Sequence, residues 1–200
     1  EKIVFFNCGK WEIRKGHDIL ATVFEKMAKK HHDIELWMMC ANPFNSPGEE
    51  HKWQQLYNHH QIRILPRVET QEEVYNIMLN VDCGIFPSRG EGWNLELLEM
   101  MSIGKYVIAT DYSAHTEFCT EDNCGLIQIN NKEPAHDGKW FFGQGNWAKI
   151  DDLAMQSLED KMEEFIQHHR GKPNIAGIET AKQFSWQNSA ETILKHVRQI

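Results

Sequence analysis

The sequence predicts an α/β domain built on a mainly parallel, six-stranded sheet. Short apolar runs rich in strand formers recur from residue 3 to residue 129, and segments of helical period separate most of them. Parallel strands need long crossover connections, and these connections are usually helices. A length of 200 residues suits one domain, and a hydrophobic content of 41% is sufficient for a packed core. We therefore expect a single domain over residues 1–200.

The strands are predicted where apolar runs are bounded by turn residues. They cover residues 3–6, 34–39, 62–65, 83–86, 107–110 and 125–129. An apolar stripe of helical period that begins at His17 predicts the first crossover helix. Thr70, followed three residues later by Glu73, predicts a capping box at the start of another helix. A further helix is expected from Leu95 onward.

The last third of the chain departs from this alternation. Residues 130–150 contain three glycines and four large aromatic residues without a clear period. We expect a long aromatic loop on the surface there, with a short hairpin as the alternative. The C-terminal tail is expected to be helical over residues 158–169, 175–184 and 190–200.

Charge and cysteine content narrow the class of protein. A net charge of −8 argues against general nucleic-acid binding, although it leaves a local basic patch open. The five cysteines include no C-x-x-C spacing, which favours a reducing, cytoplasmic setting, with pairing or metal binding by Cys119 and Cys124 as an alternative. No apolar run approaches the roughly 18 residues of a membrane span. The chain begins almost directly with a strand, so it could be a piece of a longer protein.

Candidate functional residues follow three predicted strands. In an open parallel sheet, ligands bind beyond the carboxyl ends of the strands. The loops at residues 8–16, 66–70 and 87–94 leave those ends, and the first of them carries Lys10 and Lys15. Gly90 and Gly92 precede the helix expected from Leu95, whose free N–H groups and dipole favour phosphate. Together these loops predict an anion pocket.

Two carboxylates flank this predicted pocket. Glu99 lies four residues beyond Leu95, which places it about 6 Å along the helix, where it could accept hydrogen bonds from a ribose diol. Glu91 projects from the loop, at the other end of the phosphates, where a sugar would lie. Each residue taken alone also has an ordinary structural explanation. Glu99 could be a solvated helix residue, the lysines surface charges, and the glycines a tight turn.

The motifs resemble the C-terminal, donor-binding half of a family-4 retaining glycosyltransferase of the GT-B fold (glycosyl transferases group 1). The segment P-S-R-G-E-G-W-N-L-E-L-L-E at residues 87–99 is similar to the family's E-x7-E signature, and G-K-Y-V-I-A-T follows it. Residues 7–16 resemble the family's basic loop, and F-S-W at residues 184–186 matches a motif common near its end. The resemblance implies a Rossmann-like, three-layer α/β/α domain with a helical C-terminal tail.

The resemblance implies a role for each matching residue. Lys15 would contact the donor's phosphates, Glu91 the hydroxyls of the donor sugar and Glu99 the ribose. The base would rest against the backbone near Arg67 and Val68. The implied catalytic residues are Glu91, Lys15 and Lys10. The implied donor-binding residues are Gly9, Lys10, Lys15, Arg67, Val68, Ser88, Glu91, Gly92, Trp93, Asn94, Leu95 and Glu99.

Three of the implied site residues depart from the family pattern. Lys10 stands where the family usually has arginine, so a bidentate phosphate contact becomes a point charge. Trp93 and Asn94 replace the usual Phe and Gly, which would narrow the turn beside the sugar. His115 follows the fifth strand at the ligand edge of the sheet, so a contact with the donor is considered for it as well.

The resemblance implies transfer of a sugar from a nucleotide diphosphate sugar, used as co-substrate, to an unknown acceptor. No metal is expected, since no D-x-D motif occurs. The N-terminal half of such enzymes supplies the acceptor site, so we expect this chain to be inactive alone. Peripheral membrane association is left open through that missing half. The alternative function is a non-catalytic nucleotide-sugar-binding module.

Overall fold

A computed structural model describes residues 2–197. Its strands are β1 (Ile3–Gly9), β2 (Ile34–Cys40), β3 (Ile62–Ile64), β4 (Cys83–Phe86), β5 (Tyr106–Thr110), β6 (Gly125–Ile127), β7 (Lys132–His136) and β8 (Phe142–Ala148). Its helices are α1 (His17–Lys30), α2 (Pro47–Leu56), α3 (Gln71–Leu79), α4 (Leu95–Ser102), α5 (Asp152–Glu164), α6 (Ile175–Gln183) and α7 (Trp186–Val197). Among these helices of residues 2–197, none is long and apolar enough to cross a membrane.

Within the described residues, β1 to β6 form one parallel sheet in the order β3-β2-β1-β4-β5-β6. The predicted six-stranded parallel sheet is confirmed. The chain runs outward from β1 through β2 to β3, then returns to the other side of β1 with β4. Loops that leave the carboxyl ends of β1 and β4 therefore diverge and open a crevice, the usual ligand position in such sheets.

An apolar core covers each face of the sheet. On one face, α1 and α5 bury side chains such as Leu20, Phe24 and Met162 against the strands. On the other, α4 contributes Leu97 and Met100. Strands buried on both faces explain why β1, β4 and β5 read as continuous apolar runs rather than alternating ones. The three-layer arrangement holds the crevice loops from both sides.

Local signals position the crossover helices. The predicted capping box of α3 is present: Glu73 N–H donates to Thr70 Oγ1 at 3.2 Å, and Thr70 N–H donates to Glu73 Oε2 at 2.9 Å. A second box starts α2, where Glu49 N–H donates to Ser46 Oγ at 3.3 Å. Both boxes satisfy N–H groups that a helix start otherwise leaves unpaired.

The 130–150 segment contains a hairpin where a long loop was the main expectation. Strands β7 and β8 pair antiparallel from Lys132 opposite Ala148 to His136 opposite Phe142, with an irregularity between. Asp137 builds the turn, because its Oδ1 accepts the N–H groups of residues 139, 140 and 141 at 2.7 to 2.9 Å. Gly143 and Gly145, both at positive φ, obscure the alternation that would have shown the strands.

The tail is helical: α6 begins at Ile175 as expected, whereas α5 and α7 begin earlier than expected. Asp151 caps α5 by accepting the Ala154 N–H at 3.2 Å, so this helix begins before residue 158. A π-helical turn (Phe165–His169) follows it. Helix α7 begins at Trp186, and the last three residues of the helix expected to residue 200 lie outside the described residues. Within residues 2–197 all five cysteines are free and buried, Cys119 and Cys124 included.

Gly16 allows α1 to start directly against the β4 loop. Its φ is 73°, in the left-handed region, and a Cβ on it would lie 2.0 Å from the Pro87 carbonyl oxygen. This contact brings the Lys15 side of the first loop against the start of the S-R-G-E-G loop. A glycine is therefore required here for space as well as for backbone conformation.

We expect Gly16→Ala to lower the free energy of unfolding by about 3 kcal/mol or more, from left-handed strain plus overlap. Gly138→Ala is the matched control, since Gly138 has a φ of 72° with no atom within 4 Å of its Cβ position. It should lose only about 1 kcal/mol. Urea unfolding of both variants measures the difference, and equal losses would show that the Pro87 contact is unimportant.

Candidate functional site

A cavity of about 490 Å³ opens at the carboxyl edge of the sheet. Two of the three loops singled out in the sequence, at residues 8–16 and 66–70, line it, and the third loop leads into the start of α4, which lines it at Leu95. The predicted residues that line it are Gly9, Lys10, Lys15, Arg67, Val68, Leu95 and Glu99. Arg14, Thr70 and Glu96 line it as well, although none of them was assigned a site role from the sequence. The structure thus brings cations, a helix N-terminus and carboxylates to one place.

The other predicted residues lie outside the lining of this cavity, all of them in the part of the chain that is described. They are Ser88, Glu91, Gly92, Trp93 and Asn94. Gly92 is exposed, whereas Ser88 and Asn94 are buried beneath the loop. Their assignment to donor binding stays a prediction. Glu91 is connected to the cavity through its contacts with neighbouring side chains.

Glu91 is a buried carboxylate held by two cations. Its Oε1 lies 2.8 Å from Lys15 Nζ and its Oε2 lies 2.8 Å from Arg14 Nη1, while only 5% of its side chain is exposed. Ser88 Oγ donates to Oε1 at 2.7 Å. Burial raises the pKa of Glu91, but the charges of Lys15 and Arg14 outweigh burial, so the net pKa is lowered. Glu91 is therefore ionised at neutral pH.

Lys15 connects Glu91 to the cavity. It lines the cavity wall and is 9% exposed. Its Nζ converges with Glu96 Oε1 beside Gly9, because a Cβ on Gly9 would lie 3.8 Å and 3.9 Å from those two atoms. Gly9 has a φ of 141°, which an L side chain rarely adopts. An anion in the cavity would therefore meet Lys15 with little intervening side chain.

Lys10 occupies the rim of the same cavity rather than its inner wall. It is exposed, and its Nζ lies 5.0 Å from the centroid of the Phe44 ring, a cation–π distance. Of the predicted catalytic residues, Glu91 and Lys15 are in direct contact, whereas Lys10 points to Phe44. Its catalytic assignment remains a prediction.

Glu99 and Glu96 lie one helical turn apart on the cavity side of α4. Burial, and then the neighbouring Glu96 charge, raise the pKa of Glu99. A carboxylate in this position gains from hydrogen-bond donors, because donors restore the solvation that burial removes. Paired hydroxyl groups of a bound ligand would supply such donors.

Asn94 sets the first turn of α4. Its φ of 75° is left-handed, and its Oδ1 accepts the Leu97 N–H at 3.3 Å, the usual N-cap contact. The helix begins at Leu95, which lines the cavity. The first-turn N–H groups and the positive end of the helix dipole therefore lie at the cavity wall, where they favour an anion.

Trp93 turns away from the cavity. Its ring packs 5.1 Å from the Phe118 ring and 5.2 Å from the Phe184 ring. The expectation that Trp93 narrows the turn beside a sugar finds no support in this packing. Instead, Phe184 of the F-S-W motif joins the C-terminal tail to the loop before α4.

Comparison with known protein families identifies the family of the chain. A profile described as "Glycosyl transferases group 1" matches residues 1–136. The chain belongs to this family. No curated protein sequence matches the chain significantly.

Solved structures share the fold. The C-terminal domain of a glycosyl transferase group 1 family protein, LpcC from Francisella tularensis, is 19% identical with a TM-score of 0.66, over 92% of this chain and 85% of that one. Sucrose-phosphate synthase from Thermosynechococcus elongatus is 16% identical with a TM-score of 0.72, over 100% and 45%. Anabaena HepE with UDP and glucose is 16% identical with a TM-score of 0.71, over 100% and 49%. The chain thus spans less than half of the last two and corresponds to one half of a GT-B fold.

Two positively charged residues near this site were not assigned a site role from the sequence. Arg14 lies one position before Lys15, and its guanidinium bridges Glu91, the Gly90 carbonyl oxygen and Glu12. Arg89 is buried and forms two bonds of 2.7 and 2.8 Å to the Asp18 carboxylate. A clue was available for both, since R-K-G and S-R-G-E-G each place an arginine beside a predicted functional residue.

His115 also occupies a different place from the one considered. Its side chain is fully buried, and its Nε2 lies 2.8 Å from Asn94 Nδ2. It lies behind the turn, in contact with Asn94, rather than on the cavity wall. The side chain of His115 therefore contacts Asn94, the cap residue of α4, instead of reaching a donor in the cavity.

We expect Glu91→Gln to lower the free energy of unfolding by about 2 to 4 kcal/mol at pH 7, because Arg14 and Lys15 would lose a buried counter-charge. A carboxyl with a lowered pKa stabilises the fold above its ordinary value of 4.5, and that stability is lost as the pH falls through the folded-state value. The difference in the free energy of unfolding between wild type and Glu91→Gln should therefore become smaller below about pH 4.5.

Chemical unfolding at a series of pH values measures this gap. Glu117→Gln removes an exposed carboxylate and is the control, with no loss expected. A gap that stays constant with pH would contradict the proposed ion-pair origin.

Proposed function

We propose that this chain is the donor-binding half of a retaining, metal-independent glycosyltransferase of the hexosyltransferase type, with a nucleotide diphosphate sugar as co-substrate. The observation that carries the proposal is the position of Lys15. It lines the cavity at the N-terminal side of α4 and at the same time pairs with Glu91 at 2.8 Å. One cation therefore lies between a phosphate position and a carboxylate suited to sugar hydroxyls.

The remaining roles follow from the order of groups around the cavity. Glu99, further along α4, would accept hydrogen bonds from the ribose hydroxyls. The backbone near Arg67 and Val68, on the opposite loop, would support the base. Lys10 at the rim would add positive charge. Gly9, Gly92, Asn94 and Leu95 would let the backbone approach the diphosphate, while Ser88 and Trp93 would hold the loop.

The electrostatics suit departure of a nucleoside diphosphate. Negative charge develops on the diphosphate as the bond to the sugar breaks, and preorganised donors stabilise such charge. Lys15 and the α4 N-terminus would supply this stabilisation, and no metal ion would be needed for it. Glu91 would orient the sugar by accepting from its hydroxyls while Arg14 and Ser88 hold the carboxylate in place.

Two further observations support a half-enzyme with a missing acceptor domain. The chain spans less than half of sucrose-phosphate synthase and of HepE. Helix α7 exposes Trp186, Ile193 and Val197 to 83%, 63% and 62%, an apolar face that another part of a longer protein could cover. We propose that the isolated chain binds donor without transferring sugar, and that any membrane association comes through the other half. Five free cysteines support a cytoplasmic location.

The structure of HepE with UDP-glucose supports the choice of ligand class. We expect UDP, GDP or ADP and the corresponding sugar nucleotide to raise the melting temperature of the chain, since a ligand that binds only the folded state stabilises it. Calorimetry then gives the affinity for the nucleotide that stabilises most. No stabilisation by any of the three would reject the proposed function.

Lys15→Ala should weaken binding of that nucleoside diphosphate by about tenfold or more, because a charge-assisted phosphate contact is lost. Lys26→Ala is the matched control. Lys26 also pairs at 2.8 Å with a largely buried glutamate, Glu159, but it lies on α1, outside the cavity lining of the described residues. Equal affinities for the two variants, measured by calorimetry, would reject the phosphate role of Lys15.

A second calorimetric comparison should distinguish the roles of Glu91 and Glu99 in binding. Glu99→Gln is expected to weaken the nucleotide and the sugar nucleotide by the same factor, about tenfold, because both carry the ribose. Glu91→Gln should weaken the sugar nucleotide by at least about fivefold more than the free nucleotide, because the carboxylate would contact the sugar alone. A parallel loss for both ligands in Glu91→Gln would contradict its assignment to the sugar.

A further inference from the structure

We propose that His115 is a positioning residue for the donor site: its neutral imidazole fixes the amide of Asn94, which in turn caps α4 at the cavity. This inference rests on the proposed function, since it assigns a purpose to the α4 N-terminus. It replaces the idea of a direct donor contact, because His115 has no exposed surface. The observations that carry it are five hydrogen-bond contacts among buried groups.

The contacts of His115 determine which ring nitrogen carries hydrogen. Its Nδ1 lies 3.0 Å from the Thr110 carbonyl oxygen, which can only accept. Thr110 Oγ1, at 3.2 Å, uses its own hydrogen to donate to the Ser88 carbonyl oxygen at 2.6 Å. Nδ1 must therefore be the donor, and Nε2 of the neutral ring is left as an acceptor.

This tautomer orients the Asn94 amide. The Nε2 lone pair lies 2.8 Å from Asn94 Nδ2, so the amide nitrogen faces the imidazole. The amide oxygen then faces the Leu97 N–H at 3.3 Å and caps the helix. The reversed amide would place two donors against each other at Leu97 and two acceptors at His115. The ring therefore excludes the orientation that cannot cap.

The position of Asn94 makes this support necessary. Asn94 has φ 75° and ψ 72°, a left-handed conformation that costs a side-chain-bearing residue about 1 to 2 kcal/mol. Its side chain is 95% removed from solvent, so an unpaired amide would not find water. Glycine is the residue that adopts this conformation without strain and needs no amide partner. Asparagine in its place requires a partner, and His115 is that partner.

Protonation would reverse the contact. A charged imidazole carries N–H on both nitrogens, so Nε2 would face the Asn94 amide as a second donor. Burial lowers the pKa of His115, the charge of Glu91 opposes this shift, and Lys15 assists it. The Phe118 ring, 6.5 Å from the imidazole, adds no charge. The cap should therefore be intact at neutral pH and should weaken only when the pH falls through the folded-state pKa of His115, which lies below the ordinary value of 6.5.

A pair of amide substitutions tests the geometry. In His115→Gln, the side-chain oxygen reaches the place of Nε2 and can accept from Asn94. In His115→Asn, the shorter side chain reaches the place of Nδ1 and keeps only the Thr110 contact. We expect His115→Gln to bind UDP, GDP or ADP, whichever the wild type binds most tightly, within about twofold of wild type, and His115→Asn to lose about fivefold, the size of a lost N-cap.

The Asn94→Gly background provides the decisive control. Without an amide at position 94, His115→Asn and His115→Gln should bind the nucleotide equally. A His115→Asn loss that persists in this background would overturn the proposal, because it would show a general packing defect. Equal affinities of the two variants in the native background would overturn it as well.

A second readout is independent of nucleotide binding. At pH 7 the Leu97 amide should exchange its hydrogen faster in His115→Asn than in His115→Gln, and the nitrogen shifts of the wild-type imidazole should report hydrogen on Nδ1. Failure of the wild type to bind any nucleotide would reject the proposed function alone. Unchanged Leu97 exchange, or hydrogen on Nε2 at pH 7, would overturn the role of His115.

Discussion

The ion pairs of Glu91 with Arg14 and Lys15 join the two loops that leave the centre of the sheet. The loop after β1 contributes the cations, and the loop after β4 contributes the carboxylate. Buried ion pairs add little net stability over an apolar pair of the same size, yet removing one partner is costly. We therefore interpret this cluster as a device that fixes the relative position of two loops, rather than as a source of stability.

The sheet order places the starts of these two loops side by side. Because β1 and β4 are adjacent and their connections run to opposite sides, no crossover helix fills the space above them. Gly16, packed on the Pro87 carbonyl, brings the backbones together, and Arg89 adds a buried bidentate bond to Asp18 on α1. The cavity is thus bounded by groups whose positions depend on one another.

The sequence was informative where the determining contacts are local. Apolar runs predicted all six strands of the parallel sheet, and the Thr70 capping box lies within four residues. Helix geometry predicted the distance of Glu99 from the start of α4, and Glu99 lines the cavity. A short hairpin in residues 130–150 was named only beside the main expectation of a loop, because glycines and exposed side chains conceal the alternation of β7 and β8. Its turn depends on one carboxylate, Asp137, that accepts three N–H groups.

The non-local contacts could not be read in this way. Asn94 and His115 are 21 positions apart, and Arg14 and Glu91 are 77 apart. Nothing in their immediate neighbours shows that they touch, and a histidine after a strand at the ligand edge is equally suited to a ligand or to a buried amide. Because His115 is buried, it contacts the Asn94 amide rather than a ligand. That burial depends on the assembled core and not on neighbouring residues in the sequence. The one available signal was Asn94 in the place where the family pattern usually has glycine.

The double pairing of Glu91 has a consequence for donor binding under the proposed function. A diphosphate in the cavity would compete for Lys15, which lines it, and a single-partner carboxylate would then be left buried without a counter-charge. Glu91 avoids this cost because Arg14, itself held by Gly90 and Glu12, continues to neutralise it. Lys15 is therefore free to move toward phosphate while Glu91 keeps its charge and its position beside the sugar. Arg14 would therefore allow Lys15 and Glu91 to contact the same ligand at the same time.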